Sequence, residues 1–150
     1  MNLKRALING FIIFLGISIY FLIIEYLGLA DEFYLRILNI LIIGFGMNLT
    51  IKQNYLDGIR GYFTHLIAAF VTAMIAAVLS VGSLLFYIQY KGGEEYLQKL
   101  SKGFLFGGGD VNLSYYCIGL LFESVASSMI LAFVLMQFWK NKVETINKVD

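Results

Sequence analysis

Residues 113–139 read LSYYCIGLLFESVASSMILAFVLMQFW, and the run stops at Lys140-Asn141-Lys142. A bilayer core asks for about 20 mainly apolar residues in one helix, and this stretch supplies them. A tryptophan followed by lysines is the ending expected where such a helix reaches the membrane surface. One carboxylate, Glu123, lies near the middle. An acid at that depth is costly, so it is the residue whose presence needs a reason. Three other apolar runs, at about 7–29, 33–51 and 62–90, can cover it. The expected fold is all-α, an integral membrane four-helix bundle forming a single transmembrane domain over residues 1–150.

Composition agrees with this reading. Hydrophobic residues make up 59% and charged residues 14%, and the mean hydropathy is +0.78. A soluble domain is nearer half apolar and a quarter charged, so lipid must be the solvent for much of this surface. The net charge of +1 and the lack of a basic patch argue against a nucleic-acid partner. A single cysteine, Cys117, excludes an intrachain disulfide and a cysteine-rich metal site. Proline is absent, which leaves the glycines as helix breakers.

In chain order, Lys4 and Arg5 precede the first span, which is interrupted by Asn9, Gly10, Gly16, Ser18 and Glu25. Gly28-Leu29-Ala30 resembles a signal-peptide cleavage site, but the apolar run is longer than the ~7–15 residues of a signal peptide. Asp31-Glu32 form a turn, and the second span carries Arg36 near its start and Asn39 within it. A polar stretch, 52–61, leads to the third span. The connection at 91–111 should hold a short amphipathic helix, with Glu94 and Glu95 early and Lys99 late, as a helix dipole favours. Tyr96, Phe104 and Phe106 are expected as the buried side of that connection, against membrane or a partner.

Basic residues set the orientation. With the N-terminus inside, Lys4, Arg5, Lys52, Arg60, Lys140, Lys142 and Lys148 are internal, against Arg36, Lys91, Lys99 and Lys102 outside. Both termini are therefore expected in the cytoplasm (N-in, C-in), in a bacterial inner membrane. The 91–111 connection is then an outer segment between the third and fourth spans.

Polar residues inside the spans are the candidate sites. Glu25 and Arg36 flank the first turn at similar depth and are expected to form an outer-face ion pair. Arg36 also lies one helical turn from Glu32. Glu123 is ten residues beyond Leu113, about 15 Å into the bilayer at 1.5 Å per residue. No cation shares its depth, so it is expected to be neutral and bonded to Asn39 or to serines such as Ser127. Ala69, Ala73, Ala76, Ser80 and Ser83 form a small-residue stripe for close packing, or alternatively the lining of a pore. His65 should be an interfacial polar group. Gly107-Gly108-Gly109-Asp110 lacks the Lys-Ser/Thr of a phosphate loop. No catalytic set, metal site or cofactor site can be assembled.

Ile51-Lys52-Gln53-Asn54-Tyr55, Gly58, Tyr62-Phe63 and the alanine-rich third span ending in Tyr87 and Tyr90 form one pattern with Ser128-Met129-Ile130-Leu131-Ala132. It resembles the small four-helix inner-membrane proteins of unknown function common in Bacteroidota, over roughly residues 43–142. Glu123 and the glycine run 107–109 depart from that pattern. The resemblance implies the fold and no activity. The expected function is a non-catalytic membrane subunit, in contact with lipid, that docks on other membrane proteins or self-associates. The alternative is an oligomeric small transporter or channel with Glu123 as proton or cation site.

Overall fold

The computed structural model describes residues 2–101 and 112–144, and among these every regular element is helical. The order is α1 (Leu3–Tyr26), α2 (Phe33–Ile37), α3 (Asn39–Leu56), α4 (Tyr62–Lys91), α5 (Glu94–Ser101) and α6 (Leu113–Val143). Four helices are long and apolar enough to cross a membrane: α1, the α2–α3 pair over Tyr34–Leu56, α4 and α6. The second of these is not continuous. It breaks at Leu38, where the amide of Leu38 turns to the Leu35 carbonyl at 3.3 Å. The Leu35 carbonyl also accepts from the Tyr20 hydroxyl of α1 at 2.8 Å. That bond gives the carbonyl a second, shorter partner in an apolar setting. The α3 helix then runs past the sequence-expected end, through the polar residues to Leu56.

Local chemistry sets the other ends. Asn2 caps α1 by accepting from the Arg5 amide, and Asn112 caps α6 by accepting from the Ser114 amide. Three helices end with the same backward closure: Leu29 to Ile24, Ile59 to Asn54 and Gly93 to Ile88, at 2.9–3.1 Å. Each closure passes through a glycine of positive φ, at Gly28, Gly58 and Gly92, a conformation that other residues adopt only with strain.

The α4 helix is the hub. It packs against α1, α3 and α6, and α1 and α6 lie on opposite sides of the α3–α4 pair. Both described chain ends and the α3–α4 connection gather at one end of the bundle. There Gly61 donates to the Val143 carbonyl at 2.8 Å, and Arg5 pairs with Asp57 at 2.6 Å. The opposite end holds the α1–α2 connection and α5. These are called the terminal end and the α5 end below.

The half of the bundle nearer the terminal end is tightly packed. Met47, Ile51, Ala69, Ala73, Ala132 and Met136 form its buried core. Two glycines let α1 approach its neighbours. A Cβ on Gly46 would collide with the Ile13 side chain, and one on Gly10 would meet Ile75 at 2.8 Å and the Thr72 carbonyl at 2.9 Å. Close backbone approach of this kind is how helices gain contact where lipid competes on equal terms. The α5 helix closes the other end: Leu97 and Leu100 are buried against Ala30, Ile88 and Tyr116.

Candidate functional site

Between the tight half and α5 lies a cavity of ≈ 370 Å³, lined by α1, α2, α3, α4 and α6 and covered at its end by Leu100. Its polar lining includes Arg36, Asn39, Ser80, Tyr116, Glu123 and Ser127. Phe21, Ile43, Leu84 and Leu120 supply apolar wall. The residues singled out by their cost inside a membrane, Glu123 and Arg36, thus face one space.

Each arrives there for a local reason. The break at Leu38 precedes Asn39, and the short α2 carries Arg36. The α2 helix packs on α3, and the gap from it to α6 is bridged by a hydrogen bond from the Arg36 guanidinium to the Tyr116 hydroxyl at 3.0 Å. The guanidinium carbon also lies 6.0 Å from the centre of the Tyr116 ring. Glu123 follows Tyr116 by two helical turns on the same face of α6, a rise of ~10.5 Å. The Gly61–Val143 bond fixes the register of α4 against α6. Counting inward from Tyr62 and Val143 puts Ser80 level with Val125, next to Ser124 and close to Glu123. Gly44 faces Leu131; counting back from this contact brings Asn39 near the level of Ser127.

Several expected pairings are absent. The Glu25–Arg36 ion pair is not formed. Among the described residues the one ion pair is Arg5–Asp57, and Arg36 turns inward to Tyr116. Glu25 acts instead on Tyr96. The Tyr96 hydroxyl is buried and makes no well-aligned hydrogen bond, and burial first, then the Glu25 carboxylate, push its phenol well above the usual range. Tyr96 therefore faces its own bundle, with its ring 5.9 Å from that of Tyr87. Phe104 and Phe106, expected beside it as a surface or partner contact, lie outside the described residues.

Glu123, Asn39 and Ser127 share the cavity without bonding side chain to side chain. The Ser127 hydroxyl donates to the Glu123 backbone carbonyl at 2.7 Å, and Ser124 donates to that of Leu120 at 2.7 Å. Ser124 and Ser127 thus satisfy their donors within their own helix. They leave the Glu123 carboxylate to the cavity. Asn39 Oδ1 and Ser80 Oγ are buried with no hydrogen-bond partner. The cavity thus offers a guanidinium at its α5 end and three groups able to accept hydrogen bonds deeper in: a carboxylate, an amide oxygen and a hydroxyl. Such a set has the chemistry to meet a ligand that carries both donors and acceptors. The small-residue stripe of α4 divides between the two halves. Ala69 and Ala73 are in the core, whereas Ala76, Ser80 and Ser83 line the cavity.

Two features were not anticipated from the sequence. One is Tyr116 as the partner of Arg36. The other is a buried polar cluster below the cavity, in which Asn9 donates to Thr50 at 2.9 Å and to Gln53 at 2.9 Å. Thr50 in turn lies 3.0 Å from the Thr72 hydroxyl. A signal existed for both: each is a hydrogen-bonding residue within an apolar helix, where lipid offers no partner. His65, in the first turn of α4, is fully buried against its own bundle, with Nε2 3.0 Å from the Ile59 carbonyl.

No family model, curated protein or solved structure matches the chain.

Proposed function

We propose that this is a non-catalytic, multi-pass protein of a bacterial inner membrane, with both termini in the cytoplasm, that binds a small solute or ion within the membrane. Glu123 is the centre of the site, exchanging a proton for a cationic group, and the protein works as a small transporter in oligomeric form. The observation that supports this reading is the cavity, a space of molecular size that Glu123 lines together with Asn39 and Ser80, whose Oδ1 and Oγ have no partner. Ionisable residues in spans mark such pathways by default, because a purely structural role is more cheaply met by neutral groups. Four spans are few for a complete pathway, so a second copy is expected.

Uptake into proteoliposomes tests it. Glu123→Gln preserves shape and removes the exchangeable charge. It should abolish proton-coupled uptake while leaving insertion and oligomer size unchanged. Equal uptake by the variant would remove Glu123 from the mechanism.

A second reading, a subunit that docks on other membrane proteins, draws on α6. This helix is the least covered of the four spans, with 11% of its apolar window buried against 22–28% in the others. Copurification of a stoichiometric partner from native membrane would favour it.

A further inference from the structure

We infer that the cavity takes a small apolar zwitterion, its anionic end held by Arg36 and its ammonium by Glu123. This rests on the proposed reading of Glu123 as an intramembrane site, and it names the class of ligand.

Charge balance argues for both ends. The cavity contains one guanidinium and one carboxylate, and the two are not paired with each other. A simple cation drawn to Glu123 would share the space with Arg36. A simple anion drawn to Arg36 would share it with Glu123. A molecule carrying both charges meets opposite charge at each end, and the water it loses on entry is replaced twice over by charged partners.

Spacing argues for the same class. Arg36 is held at the level of Tyr116, and Glu123 lies two turns, ~10.5 Å, further along α6. The Arg36 and Glu123 side chains both border the space between those levels, so a ligand with its charges a few ångströms apart can meet both through charge-assisted hydrogen bonds. An ammonium brings three donors. Glu123, Asn39 Oδ1 and Ser80 Oγ can receive them, and the last two have no other partner. A wall containing Ile43, Leu84 and Leu120 suits an apolar body.

Size excludes a phospholipid. The cavity volume of ≈ 370 Å³ is at the small end for ligand pockets. Leu100 of α5 lines its α5 end, and the charged and polar groups Arg36, Asn39 and Glu123 in its wall suit a small polar ligand better than acyl chains. The ligand class is thus a water-borne molecule such as an aliphatic α-amino acid.

The test is calorimetric binding to the purified full chain with three probes: leucine, its decarboxylated form 3-methylbutylamine and its deaminated form 4-methylpentanoate. Leucine should bind at least tenfold more tightly than either. Arg36→Gln should weaken leucine at least tenfold and leave the amine unaffected or improved. Glu123→Gln should weaken leucine similarly and spare the carboxylate. Amine binding equal to that of leucine in the unmodified protein overturns the zwitterion, while its loss in Glu123→Gln would leave the carboxylate site standing. Carboxylate binding equal to that of leucine, or no binding of any probe, also overturns it. The probe comparison in the unmodified protein needs no variant to fold.

Discussion

Thr50 shows what one hydroxyl does where helices meet without water. It accepts from Asn9 of α1, lies against Thr72 of α4 and donates to its own Gly46 carbonyl at 3.2 Å. Asn9, Thr50 and Thr72 are all 0–1% exposed. Thr50→Val keeps the shape and removes the acceptor for Asn9, which retains Gln53 as its other partner. The expected loss is ~0.6–1.7 kcal/mol, the range for interhelical hydrogen bonds in membrane proteins. Unfolding in mixed micelles measures it. A variant as stable as the parent would show that the cluster contributes nothing to holding α1 on α3 and α4. Asn9 was visible in the sequence as an interruption of an apolar run. Its partners were not, because Thr50 and Thr72 are separated from it by 41 and 63 positions and only the folded register joins them.

At the scale of elements, the four spans and the short α5 were legible because length and hydropathy alone mark them. A buried side on the connection that holds α5, with Tyr96 on it, was expected as well. What escaped was where that face turns. Leu97 and Leu100 pack on their own bundle, beside Ala30 and Tyr116. The break at Leu38 escaped as well, since no proline or glycine marks it and the Tyr20 bond that accompanies it is tertiary. Helices such as α1 and α6 are apolar all round, so hydropathy cannot separate a lipid-facing side from a packed one. Glycine could: Gly46 sits where α1 and α3 cross, against Ile13. Gly46→Ala should force these helices apart and lower stability by ~1–3 kcal/mol, the usual cost of overpacking. The same change at Gly82, where a Cβ would meet nothing, should be neutral. Equal effects at the two positions, in the same unfolding assay, would contradict the close crossing.

For the whole molecule, the two halves differ in kind. Nearer the terminal end, α1, α3 and α4 close on Asn9, Thr50 and Thr72, and α3, α4 and α6 on Met47, Ile51, Ala69 and Met136. Nearer the α5 end they separate around Arg36, Asn39 and Glu123. Under the proposed function, such a shape suits a site reached from the α5 end and closed at the terminal end. The sequence indicated the acid and the arginine and placed them at unmatched depths; it could not show that the space between them is a cavity. The proposed topology puts the α5 end on the outer side, and the central claim is that the cavity is reached from that end, past Leu100, as far as the level of Glu123. Ser127 lines the cavity, and Cys117 is the chain's one cysteine, so a single thiol can be placed there as Ser127→Cys on a Cys117→Ser background. A membrane-impermeant maleimide is then added separately to right-side-out and inverted vesicles. Labelling from the outer side, and little or none from the cytoplasmic side, is the predicted result; labelling only from the cytoplasmic side, or from neither, would contradict the account.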